Sequence, residues 1–159
     1  MRAEDLPLWE RTLIAAYRWR RVNPIPSARL ARPLEASRVA LVTTAGLVSP
    51  GDKGFDLARR GGDTGFRVIP AGIGVAALTM MHRSHAFDRD AVARDANVAL
   101  PLEPLAALAA DRLVGAAAPR HLSFMGSITA PGRLRKEDAP AAAALLVEDN
   151  VDIALLAPV

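Results

Sequence analysis

Val151-Asp152-Ile153-Ala154-Leu155-Leu156-Ala157-Pro158-Val159 is a near-continuous apolar run. It follows an alanine-rich segment, residues 139–149, that reads as a helix with Pro140 at an early helical position. A short apolar run behind a helix reads as a buried parallel strand, because a strand covered on both faces has no polar side to show. In open α/β sheets, ligands bind in the crevice beyond the carboxyl ends of such strands. The candidate site residues are therefore those just past strand ends.

Residues 37–44 (Ser-Arg-Val-Ala-Leu-Val-Thr-Thr) predict the first strand, stopped by Ala45-Gly46. Residues 66–70 and 121–125 predict further strands, the second ended by Gly126; residues 97–100 predict a short one, and 75–81 read as strand or loop. Helices are expected over 88–94 and 104–112, the latter ended by Gly115. Strands alternating with helices indicate one α/β domain, a mainly parallel sheet flanked by helices, of the flavodoxin-like kind. Ahead of it lies an N-terminal helix and arm, 1–34, with the α/β domain occupying 35–159. Asp5 suits the helix cap and Pro7 its first turn; Leu6, Trp9, Leu13, Ala16, Tyr17 and Arg20 recur at helical spacing. Arg18, Arg20 and Arg21 suit its C-terminus, and Asn23-Pro24-Ile25-Pro26 ends it in an extended Pro-rich arm.

Composition narrows the function classes. Apolar residues make up 51% of 159, which excludes a disordered chain, and aromatics only 4%, so alanine, leucine and valine must fill the core. The net charge is +3 and the pI about 10.1, but Lys53 and Lys136 are the only lysines and the arginines are spread along the chain. Without a basic cluster, nucleic-acid binding is not expected. There is no cysteine, hence no disulfide and no thiol nucleophile within these residues. No apolar stretch reaches transmembrane length, and a start containing Glu4, Asp5 and Trp9 is not a signal peptide, so no membrane association and a cytoplasmic location are expected.

Residues 46–65 form a long loop rich in glycine (Gly46, Gly51, Gly54, Gly61, Gly62 and Gly65), with Lys53, Arg59 and Arg60 among Asp52, Asp56 and Asp63. Loops of that length in a compact domain are functional or disordered. No Gly-Lys-Ser/Thr closes it, so it is not a Walker loop, and Gly72-Ile73-Gly74 lacks the third glycine of a dinucleotide fingerprint. His82, Ser84, His85 and Asp88 lie within seven residues, and His121 and Ser123 lie on or beside a later strand. Imidazoles are metal ligands, but His82-x-x-His85 is not zincin spacing and no Glu follows His82, so no metal site is expected. There is no Gly-x-Ser-x-Gly elbow for a hydrolase triad. A histidine beside a sheet end is also often a hydrogen-bonded cap, the competing reading for His82.

Several stretches, in order, resemble the selenoprotein B family: Glu35-Ala-Ser-Arg-Val-Ala-Leu-Val-Thr-Thr-Ala-Gly46, Ser84-His85-Ala86-Phe87-Asp88, Asp95-Ala-Asn97-Val-Ala-Leu-Pro101, Ala118-Pro-Arg-His121-Leu-Ser123-Phe-Met-Gly126 and Val151-Asp152-Ile-Ala-Leu-Leu. That family includes the B subunits of glycine, sarcosine and betaine reductases and the selenocysteine subunit of D-proline reductase. The resemblance implies reductive C–N cleavage: a selenolate, or a thiolate in some relatives, attacks the carbon bearing nitrogen, and a thiol reduces the adduct. It implies other reductase subunits or a thiol reductant as partners, a small amine or amino-acid substrate, and in glycine- and D-proline-type systems a pyruvoyl group on a partner subunit. No cofactor is expected in this chain itself. In the family the selenocysteine or cysteine lies just after the strand matching 151–158. A gene read conventionally ends immediately before a selenocysteine codon, so the redox residue is expected after Val159, and the 159 residues alone lack the nucleophile. Alternative expectations are an engineered truncation, a binding or assembly module that has lost the residue, and a histidine-based metal-dependent enzyme. A missing strand and helix after it would expose apolar surface around 151–159, which predicts homo-oligomers or poor solubility.

Resemblance and position together single out Ser84, His85 and Asp88 on one side of the pocket, with His121 and Ser123 across from them. His85 or His121 is expected to protonate the leaving amine or stabilise the selenolate. Thr43 and Thr44 are expected to hydrogen-bond a substrate carboxylate, and Arg120 or Arg83 to pair with it. Asp88 has a second reading as a helix cap, and Asp95 and Asn97 read as turn residues.

Overall fold

The computed structural model describes residues 7–16, 22–84 and 88–159. The expectations placed on Asp5, Leu6, Tyr17, Arg18, Arg20, Arg21 and His85 lie outside the described residues. Helix α1 (Leu8–Ala16) precedes an arm whose residues 22–36 are exposed, while Ser37, next to the first strand, is fully buried.

Strand β1 (Arg38–Thr43) is the centre of the sheet. Its valines and leucine favour a pleated, buried strand, and Val39, Ala40 and Leu41 are fully enclosed. Strand β7 (Ile153–Ala157) pairs with it in parallel, Val39 to Thr43 opposite Ile153 to Ala157. Its other side is lined in succession by two more parallel strands, β5 (Ala116–Ala117) and β6 (Arg120–Phe124). Strand β3 (Phe66–Pro70) joins the outer side of β6 in antiparallel register. A separate antiparallel pair, β2 (Leu47–Val48) with β4 (Thr79–Met80), lies beyond the end of β1. The main core gathers Val39, Leu41, Leu47 and Ile69 from the strands with Leu100, Leu102 and Leu105.

The α/β reading therefore holds: one domain with a mixed, mostly parallel sheet flanked by few helices. The parallel part is shorter than a flavodoxin-like sheet implies, because β3 turns back antiparallel. The apolar run at 151–159 is the expected parallel strand, but it is not buried: β7 pairs on one side only, leaving Leu155 51% and Leu156 67% exposed. Residues 97–100 are not a strand. Asp95 accepts from the Asn97 N–H at 2.9 Å and starts a 3₁₀ turn, Ala96–Val98, which the Leu100 N–H to Ala96 O bond (2.9 Å) extends. Residues 75–81 divide into a 3₁₀ turn, Val75–Ala77, and β4. Helix α2 (Arg89–Arg94) is capped by Asp88, whose carboxylate accepts from Ala91 N–H at 3.0 Å. Helix α3 (Leu102–Ala110) begins two residues before Pro104, which sits in the first turn where its missing N–H has no partner to lose. The polar connection at 131–138 widens into a π-helical turn, Leu134–Asp138, that runs into α4 (Ala139–Glu148), where Pro140 has no N–H to donate back into that turn. No described helix is long and apolar enough to cross a membrane.

The long glycine-rich loop is ordered by one residue that composition does not single out. Arg67 on β3 donates to the carbonyls of Lys53 (2.6 Å), Gly54 (2.8 Å) and Phe66 (3.0 Å), pairs with Asp63 at 3.3 Å, and stacks 4.0 Å above the Phe55 ring. Asp63 also accepts from the backbone N–H groups of Asp56 and Gly65, each at 3.0 Å. Burial alone would raise the Asp63 pKa, but these donors and the guanidinium outweigh it and hold the carboxyl below its ordinary value. Arg67→Met is expected to lower stability by about 2 kcal/mol in urea denaturation and to speed tryptic cleavage at Lys53, Arg59 and Arg60. An unchanged cleavage rate would mean that the loop is held by something else.

Candidate functional site

The carboxyl ends of β1, β6 and β7 converge. Thr43 lies opposite both Ser123 and Ala157, and Ser123 lies opposite Arg67, so one polar row, Thr43-Ser123-Arg67, crosses the sheet on a single face. Thr43 and Ser123 are fully buried. The Thr43 hydroxyl donates to Ala157 O (3.3 Å) and accepts from Ala45 N–H (3.2 Å). The Ser123 hydroxyl has no hydrogen-bond partner among the described residues, an arrangement retained only where something else compensates it. Thr44 follows at the strand end. Its hydroxyl accepts from Val159 N–H (3.0 Å) and donates to Val159 O (3.2 Å), so the chain leaving β7 is tied to the end of β1.

His82 enters from the end of β4 and is 2% exposed. Its Nδ1 accepts from the Ser84 N–H at 3.1 Å, which leaves the proton of the neutral ring on Nε2. The ring packs on the α-carbon of Gly126: a β-carbon there would stand 2.8 Å from Nε2 and 2.7 Å from Thr44 O. Burial pushes the His82 pKa down, and the Arg89 charge lowers it further. Arg89 donates to His82 O, and Arg83 donates to Arg59 O at 3.0 Å. Ser84 is half-buried beside them.

His121 lies lower on the same face as Ser123, two residues earlier on β6. The ladder between β1 and its neighbours breaks there. Ala118 N–H reaches Val39 O at 2.8 Å, Pro119 has no N–H, and the Pro119 carbonyl turns away to Ala71 N–H at 3.0 Å. The His121 Nδ1 fills the gap by accepting from Leu41 N–H at 3.0 Å. Burial pushes its pKa down to about 4, so the ring is neutral at pH 7. Arg120 lies at the opposite end of β6. It forms a two-pronged pair with Asp149 (2.8 and 2.7 Å) and reaches Glu148 at 3.2 Å. Those hydrogen bonds raise the Arg120 pKa and hold Asp149 below the ordinary carboxylate value.

The structure thus gathers Thr43, Thr44 and Ser123 with His82 and Ser84 at one end of the sheet. It sets His121 beneath them as a backbone acceptor, places Asp88 as a helix cap, and places Arg120 at the far end. Among the described residues no three His, Cys, Asp or Glu side chains come together as a metal site. Arg67, Asp63 and Arg89 were not singled out from sequence, because most of their partners are backbone carbonyls and amides that no motif announces.

Fold and site define a single-domain α/β protein whose polar groups collect beyond the carboxyl ends of three parallel strands. No family model matches the sequence, and no solved structure matches it. The chain resembles D-proline reductase subunit gamma of Acetoanaerobium sticklandii, with 36% identity over 125 residues, 79% of this chain and 50% of that protein. It spans about half the length of this curated relative. The similarity agrees with the resemblance carried by the sequence motifs.

Proposed function

We propose that the chain is part of a reductase subunit that cleaves a C–N bond in a small amine or amino acid, with D-proline the first substrate to test. The similarity to a D-proline reductase subunit over 79% of the chain carries this reading. The nucleophile is a selenolate or thiolate, ionised at neutral pH and soft enough to attack carbon. The chain contains no cysteine, so on this reading the group lies outside these residues, and the family resemblance puts it at the position that follows β7. The tie between Val159 and Thr44 supports that placement, because a residue following Val159 would emerge beside Thr44, Gly126 and His82. Within the chain, Thr43, Thr44 and Ser123 line the site, and Ser84 borders it. A neutral His82, with its proton on Nε2, suits hydrogen-bond donation to the selenolate or thiolate, and the departing amine takes its proton from solvent; His121 is enclosed and its Nδ1 is occupied by Leu41 N–H. A pyruvoyl group on a partner subunit would activate the substrate nitrogen. The exposed β7 edge, with Leu155 and Leu156, suits contact with another subunit or a second copy.

The coding sequence beyond codon 159 tests this reading first. An in-frame TGA or cysteine codon at position 160, with an open frame after it, is expected. The extended protein, combined with its partner subunits and a dithiol, is then expected to open the D-proline ring. A frame with no selenocysteine or cysteine near that position would remove the nucleophile and the proposal with it.

A further inference from the structure

We propose that Arg83 and Arg89 form a carboxylate-binding clamp astride His82, which receives the acid group of the substrate. The proposal deepens the reading of the site given above. It needs the site's location but not the reductive chemistry.

Arg32, Arg67, Arg120 and Arg133 each face a carboxylate: Asp152 at 3.2 Å, Asp63 at 3.3 Å, Asp149 at 2.7 Å and Glu137 at 3.1 Å. Arg38 is anchored on Asp149 O beside the Asp149 and Asp152 carboxylates, the latter accepting from its backbone N–H at 2.8 Å. Several exposed arginines, Arg59, Arg60 and Arg94 among them, have no carboxylate partner among the described residues, but Arg83 and Arg89 differ from these too in being anchored. Each is oriented by a backbone carbonyl, Arg59 O and His82 O, and among the described residues neither has a carboxylate partner. A carbonyl orients a guanidinium without neutralising it. Each guanidinium carries five N–H donors, so most remain for a ligand. Arg83 follows His82 in the chain and the Arg89 guanidinium sits on the His82 carbonyl, while the His82 ring is fixed against Gly126 and Thr44 at the carboxyl end of the sheet.

The ligand class follows from the charges nearby. Two guanidinium forks match the planar, two-oxygen geometry of a carboxylate. Asp88 and Asp90 are exposed on either side of Arg89, and their charges oppose a dianion such as phosphate more than a monoanion. Arg120 is saturated by Asp149 and Glu148, so it has little left for a substrate.

The test uses the 159-residue chain labelled with ¹⁵N and titrated with sodium acetate at constant ionic strength, with sodium chloride and inorganic phosphate as separate arms. Acetate is expected to shift the amide signals of Arg83, Ser84 and Arg89 and to saturate in the millimolar range. Arg83→Gln is expected to weaken acetate about tenfold, the size expected for losing a charged hydrogen-bond donor. Arg89→Gln is expected to do the same, with undisturbed β1 and β7 signals reporting an intact fold. If Arg89→Gln disturbs the fold, Arg83→Gln decides alone, since that side chain is exposed. Equal acetate affinity in Arg83→Gln, equal shifts with chloride, or tighter binding of phosphate would each overturn the clamp. The two readings fail separately. Acetate binding without turnover by the extended protein sinks the reductase. Turnover with an unchanged KM in Arg83→Gln sinks the clamp.

Discussion

Gly46→Ala is expected to cost about 4 kcal/mol, a large fraction of the roughly 5–15 kcal/mol that holds a domain of this kind together. A β-carbon at that position would stand 2.1 Å from Met81 O and 2.8 Å from Met81 C, and both are backbone atoms that no rotamer change can move. The residue also sits at φ +67, where a side chain adds about 1 kcal/mol. Relieving the clash would pull apart two bonds of 2.8 Å, Gly46 N–H to Phe124 O and Met81 N–H to Gly46 O. Those bonds join the ends of β1, β6 and β4, so the damage falls on the site itself. The overpacking contributes about 1–3 kcal/mol and each broken bond about 1. Gly51 is the matched control. It has φ +83 but nothing within 4 Å of its would-be β-carbon, so Gly51→Ala is expected to cost only the conformational share, about 1 kcal/mol. Urea denaturation of both variants followed by circular dichroism checks the difference. Equal midpoints would show that the approach of Met81 to Gly46 does not constrain the fold.

The parts of this architecture that were legible in sequence are those governed by local chemistry. The runs at 37–44 and 151–159 announce strands through their apolar, partly β-branched composition, and the structure pairs them in parallel. Asp88 announces a cap. The 97–100 stretch misled because Val98, Ala99 and Leu100 look like a strand until Asp95 is seen closing a turn on Asn97. Exposure of β7 could not be read from its residues, since it depends on what lies beyond its free edge. Nor could the fate of Arg120, whose partner Asp149 is 29 residues away. The convergence of Thr43 with Ser123 follows from strand register, which a sequence suggests only once the sheet order is known. The Arg67 anchor of the glycine-rich loop was invisible for a further reason: its acceptors are mostly backbone carbonyls, present at every position of every sequence.

His121 offers the second large effect, and its sign can be worked out. The ring is 1% exposed, its Nδ1 accepts from Leu41 N–H, and its pKa is pushed down to about 4 against 6.5 for an unperturbed histidine. A proton on Nδ1 would set a donor against a donor in the middle of the sheet. The unfolded chain therefore binds this proton more readily than the folded one between about pH 6.5 and pH 4. Stability contributed by the neutral ring is fully present above pH 6.5, falls as the pH drops through that window, and levels off below pH 4. The difference is about 3 kcal/mol at one pKa unit per 1.36 kcal/mol. His121→Leu is expected to remove the His121 share of that slope, leaving the contribution of His82, whose pKa burial also lowers, while lowering stability at pH 7 by about 1–3 kcal/mol, because Leu41 N–H is left buried without an acceptor. His121→Asn separates the two effects. Its side-chain oxygen falls near the position of Nδ1, so it is expected to recover part of the loss at pH 7 with the same reduced slope as His121→Leu, less the penalty for the smaller side chain. Urea midpoints of the three proteins between pH 4 and pH 8 decide the matter. If His121→Leu keeps the wild-type slope, the titrating group lies elsewhere. If Asn is no better than Leu at pH 7, the imidazole holds the strand by packing alone and not by accepting the hydrogen bond that Pro119 cannot.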